Sequence, residues 1–384
     1  MAKLLIVDAF VNSQSPTMRG IVSSLDAFVD LFENIEVWST ECEWKHPNVT
    51  FRRVSQPLKS WQFHAHYFNQ TVRRWAAALP PDPTRLVQVS GCTLHRADIR
   101  YIQFWNQLYL IERKKRPQLN LSFLQLLQAK MTARTEKSVI CDTTATGEWW
   151  VVSRALADSI KQLAGGAGTF KIQPNLYNPV RFNQEVRNHW RDKMRHEYGF
   201  LPHEHILVFS AFGHFERKGL RQAVEAVELL RQKGHPVRLL ILGGSPTTVR
   251  LFQNSITHAQ QEACLFSGMV NSIERHLAAA DGFLFPSHFE AFSLAEIEAA
   301  ALGLRLYLTP HYGSEMILRE PENGMMLPWD VPGIAKVIEE DISNCRLEPH
   351  HKQLGEALSP ESYSENLRTL YLDAIKSKLE RNLS

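Results

Sequence analysis

The chain has 384 residues, 44% of them hydrophobic and 22% charged, with a formal net charge of +3. That is the length of two or three domains and the composition of an ordinary globular protein, not a disordered or fibrous one. No apolar run approaches the about 18 residues of a bilayer span, and five scattered cysteines (Cys42, Cys92, Cys141, Cys264, Cys345) without C-x-x-C spacing argue against a zinc site and suit reduced thiols in a cytoplasmic protein.

The opening stretch, MAKLLIVDAF, lacks the apolar region and cleavage site of a secretory signal and predicts a buried strand over residues 4–10. A loop to Arg19 follows, then a helix over 20–32 with Ile21, Leu25, Phe28 and Leu31 at helical spacing. Strands are expected over 34–40 and 48–54, and a helix in SWQFHAHYFNQTVRRWAAALP. His64 and His66 are two residues apart, so they do not share a helical face and do not read as a metal pair. RLVQVSG, residues 85–91, predicts a strand that leaves Gly91 at the carboxyl edge of a sheet, where open α/β folds bind ligands.

Charge is uneven. Residues 51–137 hold 15 Lys and Arg against 4 Asp and Glu, a local excess of 11, which leaves the rest acidic by 8. A basic lobe attracts anionic lipid, nucleic acid or a phosphorylated acceptor, or is simply a solvated surface. Within it, Phe104, Trp105, Leu108 and Tyr109 lead into four consecutive basic residues, Arg113–Arg116. Residues 104–116 are therefore a candidate membrane-surface or acceptor-facing element. The other reading is a partly buried helix whose basic last turn suits its dipole. Residues 138–154 predict a strand pair or a strand and turn, RALADSIKQL a helix, GGAG a turn, and FKIQPNLYNPVRF a crossover.

In the second half, ILVFSAF, PVRLLILGG, ACLFSGMV and GFLFPS alternate with helical stretches, which predicts a parallel sheet. The terminal ESYSENLRTLYLDAIKSKLE reads as an amphipathic helix. Lys218, with Arg217 beside it, follows the first of these strands and suits a pyrophosphate. Gly243-Gly244 end the second, leaving room for a ligand or making an ordinary turn. The stretch HFEAFSLAEIEAAALG contains Ser293 and Glu296 at capping-box spacing, a run of alanines, and Gly303 at the left-handed C′ position. Strand, loop and capped helix together aim N–H groups at a phosphate. Glu290 and Glu298 are left as acceptors for sugar hydroxyls, or as surface charges.

FLFPSHFEAFSLAEIEAAALG and LTPHYGSEMILREPENGMML together resemble the signature of the retaining glycosyltransferases usually numbered family four, the glycosyl transferases group 1. The resemblance implies an α/β GT-B fold, two facing Rossmann-like domains with parallel sheets and an interdomain cleft. Residues 1–175 would be the acceptor-side domain, 176–358 the nucleotide-sugar domain, and 359–384 a terminal helix crossing back. Pro174, Asn175 and Phe182 match the family's crossover. The resemblance casts Lys218 and Arg217 on the donor diphosphate, although Gly213 stands where relatives carry a second phosphate-binding Arg. It casts Glu290 on the donor sugar, Glu298 on the ribose, and the N–H groups of Phe292, Ser293 and Leu294 on phosphate. Gly243 and Gly244 would touch the donor, and Met269 and Val270 the nucleobase. Arg19 and Gly20 stand in for a first Gly-rich loop, and His95, or Gln103, for a histidine near the acceptor. The implied reaction is retaining transfer from a UDP- or GDP-sugar to a glycan or lipid-linked acceptor, without metal or cofactor. The implied setting is cytoplasmic, with peripheral contact to the inner face of the membrane left open and no nucleic-acid partner. The alternatives are a non-catalytic GT-B partner and a nucleotide-sugar epimerase.

Overall fold

The computed structural model describes the chain apart from residues 16, 56–60, 143–146, 167, 345–353, 355–357 and 384, and apart from the side chains of 61–66 and 383. Cys345 and the side chains of His64 and His66 thus lie outside the described residues. The chain divides into two compact units. One contains Met1–Glu112, Leu121–Leu176 and Ser359–Ser384, and the other Arg113–Asn120 and Tyr177–Leu358.

The first unit is built on β1 (Ala2–Val7), β2 (Phe10–Val11), α1 (Arg19–Ser23), β3 (Phe32–Ser39), β4 (Glu41–Cys42), β5 (Val49–Arg53), α2 (Trp61–Ala77), β6 (Arg85–Ser90), β7 (Ile99–Ile102), α3 (Asn106–Lys115), α4 (Phe123–Ile140), β8 (Glu148–Val151), α5 (Arg154–Leu163) and β9 (Thr169–Ile172). Seven strands form one parallel sheet in the order β5-β3-β1-β6-β7-β8-β9. Leu4, Leu5, Ile6 and Val7 are all buried, because a parallel strand is covered on both faces and so reads as a continuous apolar run.

Several local expectations yield to packing. The helix expected over 20–32 is one turn of α1 followed by 3₁₀ turns at Leu25–Ala27 and Val29–Leu31. Phe28 leaves the helical path to pack its ring against Trp44 and Tyr371, 6.1 and 4.7 Å away. Over residues 138–154, read as a strand pair or a strand and turn, the described residues hold one strand, β8, and residues 138–140 close α4. β7 and β9 extend the sheet where no strand was read from the sequence.

The second unit follows the alternating pattern: α6 (Gln184–Glu197), β10 (His205–Ser210), α7 (Leu220–Gln232), β11 (Val237–Leu242), α8 (Pro246–Gln253), α9 (His258–Ala263), β12 (Cys264–Gly268), α10 (Ile273–Ala278), β13 (Gly282–Phe285), α11 (Leu294–Leu302), β14 (Arg305–Leu308), α12 (Ser314–Ile317), β15 (Gly324–Met326) and α13 (Val331–Ser343). Its sheet is parallel in the order β12-β11-β10-β13-β14-β15. The chain runs outward from β10, then returns to β13 and runs out the other way. Strand order therefore reverses between β10 and β13, and ligands of doubly wound sheets sit outside the carboxyl ends of the strands at such a point. The terminal helix α14 (Pro360–Leu383) belongs to the first unit. Among the described residues no helix is long and apolar enough to cross a membrane.

Candidate functional site

The two loops that leave the reversal point carry the charged residues singled out by the sequence. After β10 the chain runs through Phe212, Gly213 and His214 to Lys218 and Gly219, then enters α7. After β13 it runs through Pro286 to Ser293, then enters α11. The loops are locked together. The His288 amide donates to the Arg217 carbonyl at 2.9 Å. Gly219 lies at φ +78, and a Cβ there would sit 2.0 Å from the Pro286 carbonyl oxygen. Only glycine takes that backbone at that approach without strain.

This contact brings Lys218 to Glu290. Lys218 Nζ donates to Glu290 Oε1 at 2.7 Å, Ser287 Oγ donates to the same oxygen at 3.2 Å, and an Arg217 guanidinium nitrogen lies 3.8 Å away. Arg217 also donates to the Phe289 carbonyl at 3.1 Å. Burial alone would push the Glu290 carboxyl up, but the Lys218 ammonium, then Arg217, outweigh it and hold the group at about 2. A buried carboxylate kept fully ionised by two cations is an acceptor for hydroxyls and cannot act as a proton donor near neutral pH.

The site has members that the sequence reading missed. His214 sits at φ +55, unusual for a residue with a side chain. Burial, and then Arg217 and Lys218, lower its affinity for a proton, so it is neutral at pH 7. Beneath Glu290 lies a second buried pair: His311 Nε2 is 3.1 Å from Glu296 Oε1, both essentially without solvent contact. This overturns the expected capping box. Ser293 is the N-cap of α11 but makes no side-chain cap bond, because Glu296 points inward to His311 instead of back to the cap. Burial raises the Glu296 carboxyl. For His311 burial works the other way, yet Glu296 outweighs it and the imidazole is raised. No spacing rule links these two positions, so only the fold could reveal them.

The other residues of this unit are placed as follows. Glu298 is buried in the second turn of α11, and Gly303 ends that helix at φ +93. Phe292, Ser293 and Leu294 open α11 at the carboxyl edge of β13. Gly243 and Gly244 have φ of +97 and +82, and the space their side chains would fill is taken by the Ala211 carbonyl and the Phe215 ring. Met269 is exposed just after β12, followed by Val270. All these loops leave the carboxyl ends of strands in one parallel sheet, so they share one edge.

In the first unit, Arg19 opens α1 and donates to the Ser13 carbonyl at 3.2 Å. Gly20 is needed by packing, since a Cβ would lie 2.3 Å from the Tyr363 hydroxyl. His95 is half exposed with Nε2 2.5 Å from Asp142 Oδ2. Gln103 donates to Asn175 Oδ1 at 2.7 Å and to the Thr17 carbonyl at 3.3 Å. Of the aromatic residues in the 104–116 candidate for a membrane-surface or acceptor-facing element, Trp105, Leu108 and Tyr109 are buried and Phe104 is exposed, which fits the other reading, a partly buried helix with a basic last turn. Arg116, from the basic run after it, belongs to the second unit, where it stacks on Trp329 at 3.8 Å and donates to the His288 carbonyl at 2.7 Å.

Comparison with known proteins agrees with this geometry. Residues 203–344 match the sequence model of the glycosyl transferases group 1 domain, which contains both loops of the site. The chain is similar to LpsE of Rhizobium meliloti (strain 1021), a lipopolysaccharide core biosynthesis glycosyltransferase, at 28% identity over 44% of this chain. It spans half the length of that curated relative. Among solved structures, WaaG, a glycosyltransferase involved in lipopolysaccharide biosynthesis, superimposes with a TM-score of 0.70 at 16% identity, covering 99% of this chain and 98% of that one. Anabaena HepE, solved in complex with UDP and glucose, superimposes with a TM-score of 0.59 at 14% identity, covering 100% and 98%. The fold is GT-B, and residues 203–344 are similar to the group 1 glycosyl transferase domain.

Proposed function

We propose that the protein transfers a sugar from a nucleoside-diphosphate sugar to a glycan or lipid-linked acceptor in polysaccharide or lipopolysaccharide synthesis, with retention at the anomeric carbon. The observation that carries this reading is the ionised Glu290 clamped by Lys218 and Arg217 at the reversal point of the sheet. HepE, of the same fold, was solved with UDP and glucose, the two halves of such a donor.

In this reading the donor diphosphate lies against Lys218 and Arg217, with its charge also received by the N–H groups of Phe292, Ser293 and Leu294 where α11 begins. Glu290 accepts from hydroxyls of the sugar and Glu298 from those of the ribose. Met269 and Val270 flank the base, and Gly243 and Gly244 let neighbouring loops close in around it. As the glycosidic bond breaks, negative charge grows on the leaving phosphate. Lys218 is already aimed by Glu290, so stabilising that charge needs no rearrangement. The leaving phosphate takes the acceptor proton on the same face, and the acceptor oxygen bonds to the anomeric carbon from that face. Two cations and a helix terminus supply what a divalent ion supplies elsewhere, so turnover in EDTA is expected to equal turnover without it. His95 or Gln103 would face the acceptor, and Arg19 and Gly20 the sugar.

The rival is a GT-B protein without activity, since Gly213 replaces a phosphate-binding Arg. Arg217 speaks against it, because its guanidinium lies within the Glu290 cluster and can take over that task. Incubation with UDP-, GDP- and ADP-sugars decides between them. Slow release of free sugar from one donor supports a transferase, an isomerised sugar would reveal an epimerase, and no change in any donor would leave only the inactive partner.

A further inference from the structure

The basic run at the end of α3 does not finish in solvent. Lys114 and Lys115 are exposed, but Arg116 is half-buried. Residues Arg113–Asn120 belong to the second unit, although the chain on either side of them belongs to the first. Leu119 is fully buried, and its amide donates to the Arg116 carbonyl at 3.1 Å. A tight turn anchored by a leucine therefore presents the Arg116 side chain, and Pro117 within it fixes one more backbone angle. Little backbone freedom is left to lose when this arginine makes a contact.

The guanidinium is used twice. Its carbon lies 3.8 Å from the centre of the Trp329 ring, and one nitrogen donates to the His288 carbonyl at 2.7 Å. The Trp329 and His288 rings are themselves stacked, 5.5 Å apart and inclined by 13°. From the other side, the His288 amide donates to the Arg217 carbonyl at 2.9 Å, and the Gln222 amide nitrogen lies 2.9 Å from imidazole Nε2. Burial, then Arg116, push the imidazole down to about 4, with Glu216 opposing, so the ring is neutral at pH 7 and accepts from Gln222. His288 is thus held by its carbonyl, its N–H and its ring, two residues before Glu290. A flat cation can stack on an indole and donate in its own plane at the same time, and a lysine cannot.

We infer that Arg116 is a positioning residue for sugar transfer: by fixing the His288 peptide it holds residues 287–290 in the backbone path that puts Glu290 against Lys218. The inference rests on the reading of Glu290 and Lys218 given above, although the contacts of Arg116 do not. Arg217 and Lys218 can meet a diphosphate with or without Arg116. What they cannot do alone is keep the Glu290 loop still while charge moves in the transition state, and a displacement of about 1 Å there costs about 10²-fold in rate. Loss of Arg116 is therefore a loss in kcat more than in donor affinity. A plain surface role for the basic run predicts neither.

The test is Arg116→Gln in the full chain, assayed as release of free sugar from UDP-, GDP- and ADP-sugars. Turnover is expected to fall by about 10- to 100-fold, with KM for the donor nearly unchanged. Trp329→Leu leaves Arg116 in place but removes the ring beneath it. It is expected to lower turnover in the same direction, and adding Arg116→Gln to it costs less than in the native chain. Two readouts need no activity. Proton NMR follows the His288 imidazole, expected to rise from about 4 toward the 6.5 of an ordinary histidine when Arg116 is replaced. Hydrogen exchange is expected to quicken in residues 287–293 but not in β10. If the native protein turns over no donor, the transferase reading fails, while these two readouts still decide whether Arg116 holds the loop. Unreduced turnover in Arg116→Gln, a loss confined to KM, or unchanged exchange in 287–293 would each overturn the inference.

Discussion

At the scale of single residues, the site rests on Lys218 and its partner. Removing a preorganised group that meets charge formed in the transition state costs about 10²–10³ in rate, so Lys218→Ala is expected to lower kcat by that order with a smaller effect on KM. Steady-state sugar release, run below the melting temperature of the variant, checks this, and unchanged turnover would remove Lys218 from the reaction. The same pair makes a prediction about acid. Lys218 and Arg217 hold the Glu290 carboxyl at about 2 in the folded chain, against 4.5 for an ordinary glutamate. A depressed carboxyl stabilises the fold above its unfolded value and loses that contribution as pH falls toward the folded one. Stability should therefore decline between about pH 4.5 and 2 at up to about 1.4 kcal/mol per pH unit from this group. In Glu290→Gln that slope is absent. Urea midpoints across the range measure it, and parallel declines in both proteins would refute the assignment.

At the scale of elements, Gly219 is the joint between the two loops. Gly219→Ala drives a methyl into the Pro286 carbonyl and strains a left-handed backbone, with an expected cost of about 2–4 kcal/mol and weaker donor binding, because Lys218 is its neighbour. Gly234→Ala is the control: φ is +90 but no atom lies within 4 Å, so only the backbone cost of about 1–2 kcal/mol remains. Equal melting temperatures in the two variants would count against the joint. The strands of the second unit were legible because buried parallel strands are unbroken apolar runs, as in RLLIL and GFLF. The loops were legible through Lys218 and Glu290, charged residues at strand ends. α4 was not, because an exposed apolar stripe opposite a buried one erases the periodicity that marks a helix. Nor was the inward turn of Glu296, since its partner His311 arrives from the loop after β14. The helix expected over 20–32 failed for a similar reason, as Phe28 obeys Tyr371 from the far end of the chain.

At the scale of the whole molecule, that last contact matters most. α14 supplies Tyr371, whose ring lies 4.7 Å from Phe28, 5.4 Å from Phe32 and 5.0 Å from Trp150, and whose hydroxyl donates to Gln88 Oε1 at 2.7 Å. Asn366 of the same helix donates to the Ile172 carbonyl at 3.0 Å. The first strands of the first unit are therefore covered by α14, which completes the core around Tyr371. Tyr371→Ala removes a fully buried aromatic ring and leaves the Gln88 amide oxygen without its donor, an expected loss of about 3–5 kcal/mol. Tyr371→Phe keeps the ring and gives up the hydrogen bond, for an expected loss of about 1–3 kcal/mol. Denaturation of both variants followed by the fluorescence of the first-unit tryptophans measures the difference. If α14 merely lay on the surface, the two substitutions would cost the same small amount, and a large gap between them requires the ring itself to close the core.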